Sequence, residues 1–223
     1  ETIEEADRDD RVRVVFLQGA GDCFTSGNDL RDFVEAPPAG EASPVFRFLM
    51  AIHRARKPLV AAVRGSAVGV GTTMLLHCDL VCAGRGARFQ LPFVTLGLCP
   101  EAGSSLLLPR LAGYQRAAEL LLLGEPFGAE RAREMGLVNA VFADEELVEG
   151  AYALALKLAR QPPAAVRLTK ALLKKGAEQA VTDAISEEGR LFLERLRSPE
   201  AAEALAAFFK RPRTDGPARS EKN

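Results

Sequence analysis

Histidine, paired cysteine, basic excess and long apolar runs are scarce or missing in this 223-residue chain. With His53 and His77 as the two histidines and no C-x-x-C pair among the four cysteines, we expect no metal site. No apolar run approaches the ~20 residues of a membrane-spanning helix, so no membrane partner is expected. The formal net charge is −1, without the basic excess of a nucleic-acid-binding protein, so no nucleic-acid partner is expected either.

The composition that remains, 48% hydrophobic and 26% charged, is that of a globular protein with one sizeable core. The N-terminal segment 1–5 carries three glutamates and no secretory apolar region, and the last residues are not an S-K-L address. Free, mostly buried thiols fit a reducing compartment. We therefore expect a cytoplasmic location.

The apolar patterns predict strands early in the chain and helices late. Strands are predicted over 12–17, 59–63 and 79–83, with extended pieces at 89–91 and 94–96. Helices are predicted from 29, then over 45–56, 72–78, 114–123, 129–135, 145–160, 164–175, 177–197 and 199–209, with a mobile loop over 36–44. The expected fold class is α/β: a core over 1–140, a C-terminal helical region over 141–210, and a polar tail over 211–223.

Glu101 is the strongest catalytic candidate. It follows Leu96, Gly97, Leu98, Cys99 and Pro100, a segment in which almost nothing else ionises. We interpret Ser104 and Ser105 as caps of a following helix rather than nucleophiles, since no histidine stands where it could serve as their base. A carboxylate beside Gly-rich turns can move a proton next to a carbonyl group.

Two Gly-rich turns could supply backbone donors. Gly27 lets the chain turn its N–H groups toward one point, and Asp29 is placed to cap a short helix. The run from Gly65 to Gly71 precedes an apolar helix but fits neither a phosphate loop nor a dinucleotide fingerprint. Each turn alone is also compatible with an ordinary loop.

Taken together, the motifs resemble the enoyl-CoA hydratase/isomerase (crotonase) superfamily over nearly the whole chain. They are Phe24 with 27–30; Lys57-Pro58 with Val63, Gly65, Ala67, Gly69, Gly71 and Cys78-Asp79; Phe89, Pro92-Phe93, Leu96-Gly97, Pro100-Glu101 and 103–105; 123–125; Ala129, Ala132 and 135–139; and Pro162-Pro163, Ala165, Arg167 and Thr169-Lys170. The resemblance implies a spiral of ββα turns over 1–140 and trimerisation through 141–210. The superfamily opens with a β-hairpin and a first helix, whereas this chain begins near the end of that helix, at 3–10, and we expect that a leading segment is missing.

The resemblance also implies a site. The backbone N–H groups of Asn28 and Val70 match the oxyanion hole for a thioester carbonyl. The two glutamates of hydratases fall on Thr73 and Phe93, which cannot exchange a proton at neutral pH, whereas Glu101 matches the single base of Δ3,Δ2-enoyl-CoA isomerases, whose pattern reads P-F-x-x-L-G-x-x-P-E-G-x-S-S. Substrate-binding residues are expected at Ser26, Gly27, Asp29, Gly69, Phe93 and Leu98.

The predicted function is transfer of a proton from C2 to C4 of a 3-enoyl-CoA by Glu101, with apolar neighbours raising its pKa. No cofactor is expected, because CoA is part of the substrate. Lys57, Arg31, Lys170, Lys174 and Lys175 are candidates for holding CoA phosphates, although each alone is as compatible with a solvated surface cation. The open alternatives are hydratase, dienoyl-CoA isomerase or acyl-CoA hydrolase chemistry and a non-catalytic acyl-CoA scaffold. The expected assembly is a homotrimer or a dimer of trimers.

Overall fold

A computed structural model describes residues 1–35, 40 and 43–210. Its strands are β1 Val15–Gln18, β2 Leu59–Val63, β3 Ser66–Val68, β4 Leu80–Gly84, β5 Arg88–Gln90, β6 Phe127–Gly128 and β7 Ala140–Phe142. Its helices are α1 Thr2–Arg8, α2 Leu30–Glu35, α3 Pro44–Arg54, α4 Val70–Thr73, α5 Ser104–Ala112, α6 Tyr114–Leu123, α7 Ala129–Glu134, α8 Leu147–Ala159, α9 Pro163–Lys175, α10 Glu178–Leu196 and α11 Pro199–Lys210. Short 3-10 turns cover Met74–His77 and Val94–Leu96.

Two small sheets form the centre of the molecule. Four parallel strands lie in the order β1-β2-β4-β7, and three more lie in the order β3-β5-β6, with β3 and β5 parallel and β5 and β6 antiparallel. Every residue of β2 is buried, because this strand lies inside the larger sheet and is covered on both faces. The predicted α/β class is confirmed.

The C-terminal helices cover the sheets. Helix α8 packs on β2 and β4, while α10 packs against both α3 and α5. The α3–α10 contact brings two distant parts of the chain together above the start of α5. None of the described helices is both long and apolar enough to cross a membrane.

Several predicted boundaries were wrong. The segment 94–96 is a 3-10 turn rather than a strand, and the first strand begins at Val15 rather than at 12. Strand β7 was missed, because its three half-buried residues are too few to show a period. The predicted 72–78 helix divides into α4 and the 3-10 turn Met74–His77. Most of the predicted 36–44 loop and the 211–223 tail lie outside the described residues, and the domain division stays a prediction.

Candidate active site

Glu101 lies in a tight turn between the 3-10 turn Val94–Leu96 and helix α5. Its side chain is only 6% exposed, yet it lines the wall of a cavity of about 530 Å³. The following residue, Ala102, has a φ of +62°, a conformation that costs an L-residue roughly 1–2 kcal/mol. The isomerase pattern has glycine at this position. The turn that presents Glu101 is therefore held in place by its surroundings.

The environment of Glu101 favours the protonated form. Burial raises the pKa of Glu101 to about 7, a hydrogen bond from Thr73 opposes this rise, and the charge of Glu188 adds to it. Thr73, which has no exposed surface, donates its hydroxyl hydrogen to Glu101 Oε1 over 3.0 Å. A carboxyl group with such a pKa can both accept and return a proton near neutral pH.

His77 and Ser104 hold the main chain on either side of Glu101. The ring Nε2 of His77 lies 2.7 Å from the Ala102 carbonyl oxygen and donates to it. Burial lowers the pKa of His77 to about 4, so its ring is neutral at physiological pH. Ser104 Oγ donates to the Glu101 carbonyl oxygen over 2.6 Å. These bonds stabilise the unusual backbone at Ala102.

Glu188, on α10, caps α5. Its carboxylate accepts hydrogen bonds from the backbone N–H groups of Gly103 (2.6 Å) and Ser105 (2.9 Å). The prediction that Ser104 and Ser105 cap the helix was wrong, because the N-cap is Gly103 and the acceptor comes from a helix more than eighty residues away in sequence. Nothing in the local sequence identifies such a partner.

The two Gly-rich turns meet beside this site. Thr25 bridges to Ala67, and the N–H of Gly27 donates to Thr25 Oγ1 over 3.1 Å. Gly27 has a φ of +90°, and a Cβ there would lie 2.7 Å from Val68 O and 4.0 Å from Val70 N. Only glycine therefore permits this approach of the Asn28 turn to the Val70 turn.

In the described part of the chain, the backbone N–H groups of Asn28 and Val70 donate to no acceptor. Val70 is the first residue of α4, where a helical N–H has no partner within the helix. Asn28 itself lines the same cavity as Glu101. The fold thus gathers one carboxyl group and two turns with free donors, as the sequence predicted, while their catalytic roles stay predictions.

The cavity wall is mostly apolar and comes from α2, α3 and α10. Its apolar members are Phe33, Val45, Phe46, Leu49, Ile185, Phe192 and Leu193. Exposed charged residues of α10, Asp183, Glu187 and Arg190, lie at its edge. Arg190 is paired with Glu187 at 2.8 Å and with Glu194 at 3.3 Å. None of the wall residues except Asn28 and Glu101 was singled out from the sequence as a site residue.

The other predicted substrate-binding residues lie around the site but not on this wall. Phe93 and Leu98 are buried in the core, and Ser26 and Asp29 are exposed. Asp29 Oδ1 accepts from the N–H of Arg31 over 2.9 Å at the start of α2, which confirms its predicted capping contact. Gly69, with a φ of +56°, precedes α4 and donates to Gln90 O.

Two of the candidate phosphate-binding lysines are instead buried and hydrogen-bonded inside the protein. Lys57 is 2% exposed and donates to Ala6 O over 2.5 Å and to Asp9 O. Lys170 is 5% exposed and bonds Asp79 Oδ2 over 2.7 Å. Because these ammonium groups are enclosed and already hydrogen-bonded, neither reading offered for them, a phosphate-binding residue or a solvated surface cation, is correct. Lys174 donates to His53 O, while Arg31 and Lys175 are exposed.

Comparisons of the sequence and of the structure with known proteins agree on one family. The family model described as enoyl-CoA hydratase/isomerase matches residues 1–215. The 2,3-dehydroadipyl-CoA hydratase of Escherichia coli K12 is 35% identical over 96% of this chain and 84% of its own, and the enoyl-CoA delta isomerase 2 of Rattus norvegicus is 36% identical over 94% and 55%. The structure of Pseudomonas aeruginosa OdaA superposes with a TM-score of 0.92 at 51% identity, covering 94% of this chain and 85% of that one.

These findings confirm the predicted family and its fold. Relatives named as hydratases and as isomerases match this chain at similar identity. The choice between those reactions therefore rests on the residues of the site.

Proposed function

Because this chain belongs to the enoyl-CoA hydratase/isomerase family, we propose that it is an enoyl-CoA delta-isomerase, which moves the double bond of a 3-enoyl-CoA to the 2-trans position. One observation carries the proposal. Among the described residues that line the cavity, Glu101 is the ionisable one that is also buried, and a threonine is bonded to it.

The chemistry needs a single proton-transfer group. Glu101 removes a proton from C2, and the electrons of the C2–H bond form a C1–C2 double bond while those of the thioester C=O bond move onto oxygen. When the carbonyl re-forms, the C1–C2 electrons become the C2–C3 double bond, and the C3–C4 electrons take up the proton that Glu101 returns at C4. In the intermediate, negative charge lies on the thioester oxygen, where the N–H groups of Asn28 and Val70 would donate. Each such donor contributes roughly 2.7–4 kcal/mol to the transition state.

Hydration requires more than this site offers. Activating a water molecule and protonating the adjacent carbon is the work of two groups in related hydratases, at the positions of Thr73 and Phe93. The hydroxyl of Thr73 donates to Glu101, and Phe93 is buried and cannot ionise. The apolar wall around Phe46 and Phe192 also favours an uncharged acyl chain.

We infer a homotrimer or dimer of trimers, without a cofactor, that acts in fatty-acid β-oxidation in the cytoplasm. The row of exposed Leu168, Leu172 and Leu173 along α9 supports an oligomer, because isolated chains seldom expose such a stripe. Light scattering after size-exclusion chromatography measures the assembly directly, and a monomer at micromolar concentration would contradict it.

The test is turnover of trans-3-hexenoyl-CoA, followed by the absorbance of the conjugated 2-enoyl thioester. We expect conversion without 3-hydroxyacyl-CoA or free CoA, loss of activity in Glu101→Gln, and unchanged activity in Glu125→Gln, which alters an exposed glutamate. In D₂O, part of the hydrogen at C4 of the product should come from C2 of the substrate. With trans-2-hexenoyl-CoA as the substrate, formation of the hydroxyacyl ester would show a hydratase, and release of CoA from either ester would show a hydrolase.

A further inference from the structure

Glu188 is a buried carboxylate that the proposed reaction does not use. Its side chain lies in the middle of α10 and the residue is 6% exposed. A buried charge is costly unless it is bonded, and here both carboxylate oxygens accept from backbone N–H groups at the N-terminus of the nine-residue helix α5. The bond to Gly103 N, at 2.6 Å, is short, as expected for a charged acceptor.

These bonds lie within four residues of the proposed base. Gly103 and Ser105 lie two and four residues after Glu101, and between them Ser104 bonds the Glu101 carbonyl oxygen. His77, in the 3-10 turn Met74–His77, holds the carbonyl of Ala102. The turn is therefore held by His77 from that segment and by Glu188 from α10.

We propose that Glu188 is a positioning residue for Glu101, and that it fixes the direction in which the Glu101 carboxylate faces the cavity. Helix α10 also forms the cavity wall through Ile185, Gly189 and Phe192. Glu188 consequently ties the wall that would hold the substrate to the turn that carries the base. The effect of Glu188 on catalysis rests on the proposed function, whereas its hydrogen bonds to Gly103 and Ser105 do not.

Charge distinguishes this role from that of an ordinary helix cap. The negative charge of Glu188 adds to the rise in the pKa of Glu101. The other buried groups beside the two carboxylates are uncharged at neutral pH, whereas the charged residues nearby, Asp183, Glu187, Arg190 and Arg195, lie at the surface. Thr73 is a hydroxyl, burial lowers the pKa of His77 to about 4, and burial raises the pKa of the Cys99 thiol, whose Sγ donates to Glu188 O, to about 11. Removing the charge of Glu188 should therefore lower the pKa of Glu101.

Two substitutions separate geometry from charge. Glu188→Asp keeps the charge but is one methylene shorter, so it cannot reach both N–H groups. Glu188→Gln keeps the length, removes the charge and turns an amide donor toward one backbone N–H. Glu194→Gln is the control, because Glu194 is an exposed residue of the same helix.

We expect kcat for 3-hexenoyl-CoA to fall roughly 10- to 100-fold in both Glu188 variants, with little change in KM, since a shift of about 1 Å in a catalytic group has such an effect. The acid limb of the kcat/KM profile should move to lower pH in Glu188→Gln only. The Glu194→Gln control should match the wild type in kcat and in the position of the acid limb. Thermal unfolding measures whether each variant is folded at the assay temperature. If Glu188→Gln does not fold, kcat of Glu188→Asp decides whether the inference holds.

A wild-type kcat in the Asp variant, or a wild-type kcat and acid limb in the Gln variant, would overturn the inference. If the wild type does not isomerise 3-hexenoyl-CoA, the proposed function fails while the inference can still be decided. In that case the Glu101 carboxyl is titrated without substrate by isotope-edited infrared spectroscopy, with Glu101→Gln providing the assignment. If the titration midpoint of Glu101 were the same in Glu188→Gln as in the wild type, the proposed effect of Glu188 on Glu101 would be refuted.

Discussion

Thr73 donates its hydroxyl hydrogen to Glu101 Oε1 over 3.0 Å, and both side chains are buried. The bond lies in the site, at the position that the family resemblance assigns to a hydratase glutamate. A hydroxyl here stabilises the anion of Glu101 without supplying a second proton-transfer group. The contact thus connects the sequence argument against hydration with an observed geometry.

Replacing Thr73 with valine should raise the pKa of Glu101, because a hydrogen bond to the charged form is lost. Such bonds contribute about 1.5–3 kcal/mol, so the acid limb of kcat/KM should move about one to two pH units higher. Thr72→Val is the matched control, since the Thr72 hydroxyl bonds Ala67 O instead. An acid limb that is the same in Thr73→Val and the wild type would contradict the assignment.

The buried Glu101 should make stability depend on pH. Its pKa in the folded protein is about 7, against 4.5 for an ordinary glutamate, so the folded state holds a proton that the unfolded state releases. The stability that this proton contributes is fully present below pH 4.5 and is lost as the pH rises through 7. Relative to the wild type, Glu101→Gln should therefore gain about 3 kcal/mol between pH 4 and pH 8. Urea unfolding at both pH values measures this, and parallel stability curves for the two proteins would refute it.

Gly27→Ala should damage catalysis more than stability. The added Cβ would lie 2.7 Å from Val68 O, which forces the Asn28 and Val70 turns apart. Misplacing one oxyanion donor should lower kcat roughly 100-fold. Gly21→Ala, in the same loop but with no heavy atom within 4 Å of the new Cβ, should retain wild-type kcat. Equal rates in the two variants would mean that the turns do not act together.

Gly189 should limit the size of the acyl group. It lines the cavity, and a Cβ there would touch the Phe46 ring at 3.5 Å. Gly189→Leu should fill the cavity and lower kcat/KM for 3-decenoyl-CoA relative to 3-hexenoyl-CoA by roughly 10-fold or more, because each displaced methylene is worth about 1–3 kcal/mol. The control is Gly176→Leu, at the exposed end of α9. An unchanged ratio would place the acyl chain elsewhere.

Much of the fold could be predicted because its signals are local. The fully apolar run of β2 and the long helices α6, α8 and α10 appear in the sequence within a few residues of their observed bounds. The error at 94–96 has a physical reason, since a three-residue apolar piece fits a strand and a 3-10 turn equally well. The missed β7 is equally short, and its pairing with β4 depends on a contact across nearly sixty residues.

The sequence by itself determined the chemical parts of this protein: a lone glutamate in an apolar segment, threonine and phenylalanine in place of further acids, and glycines where two turns approach. Only the tertiary structure decided how these parts are held. In the folded chain Glu188 caps α5, Lys57 and Lys170 are buried in the interior, and α2, α3 and α10 form the cavity wall. The reason is that periodicity and turn chemistry act between near neighbours, whereas burial and the partner of a buried charge are set by segments that meet only after folding.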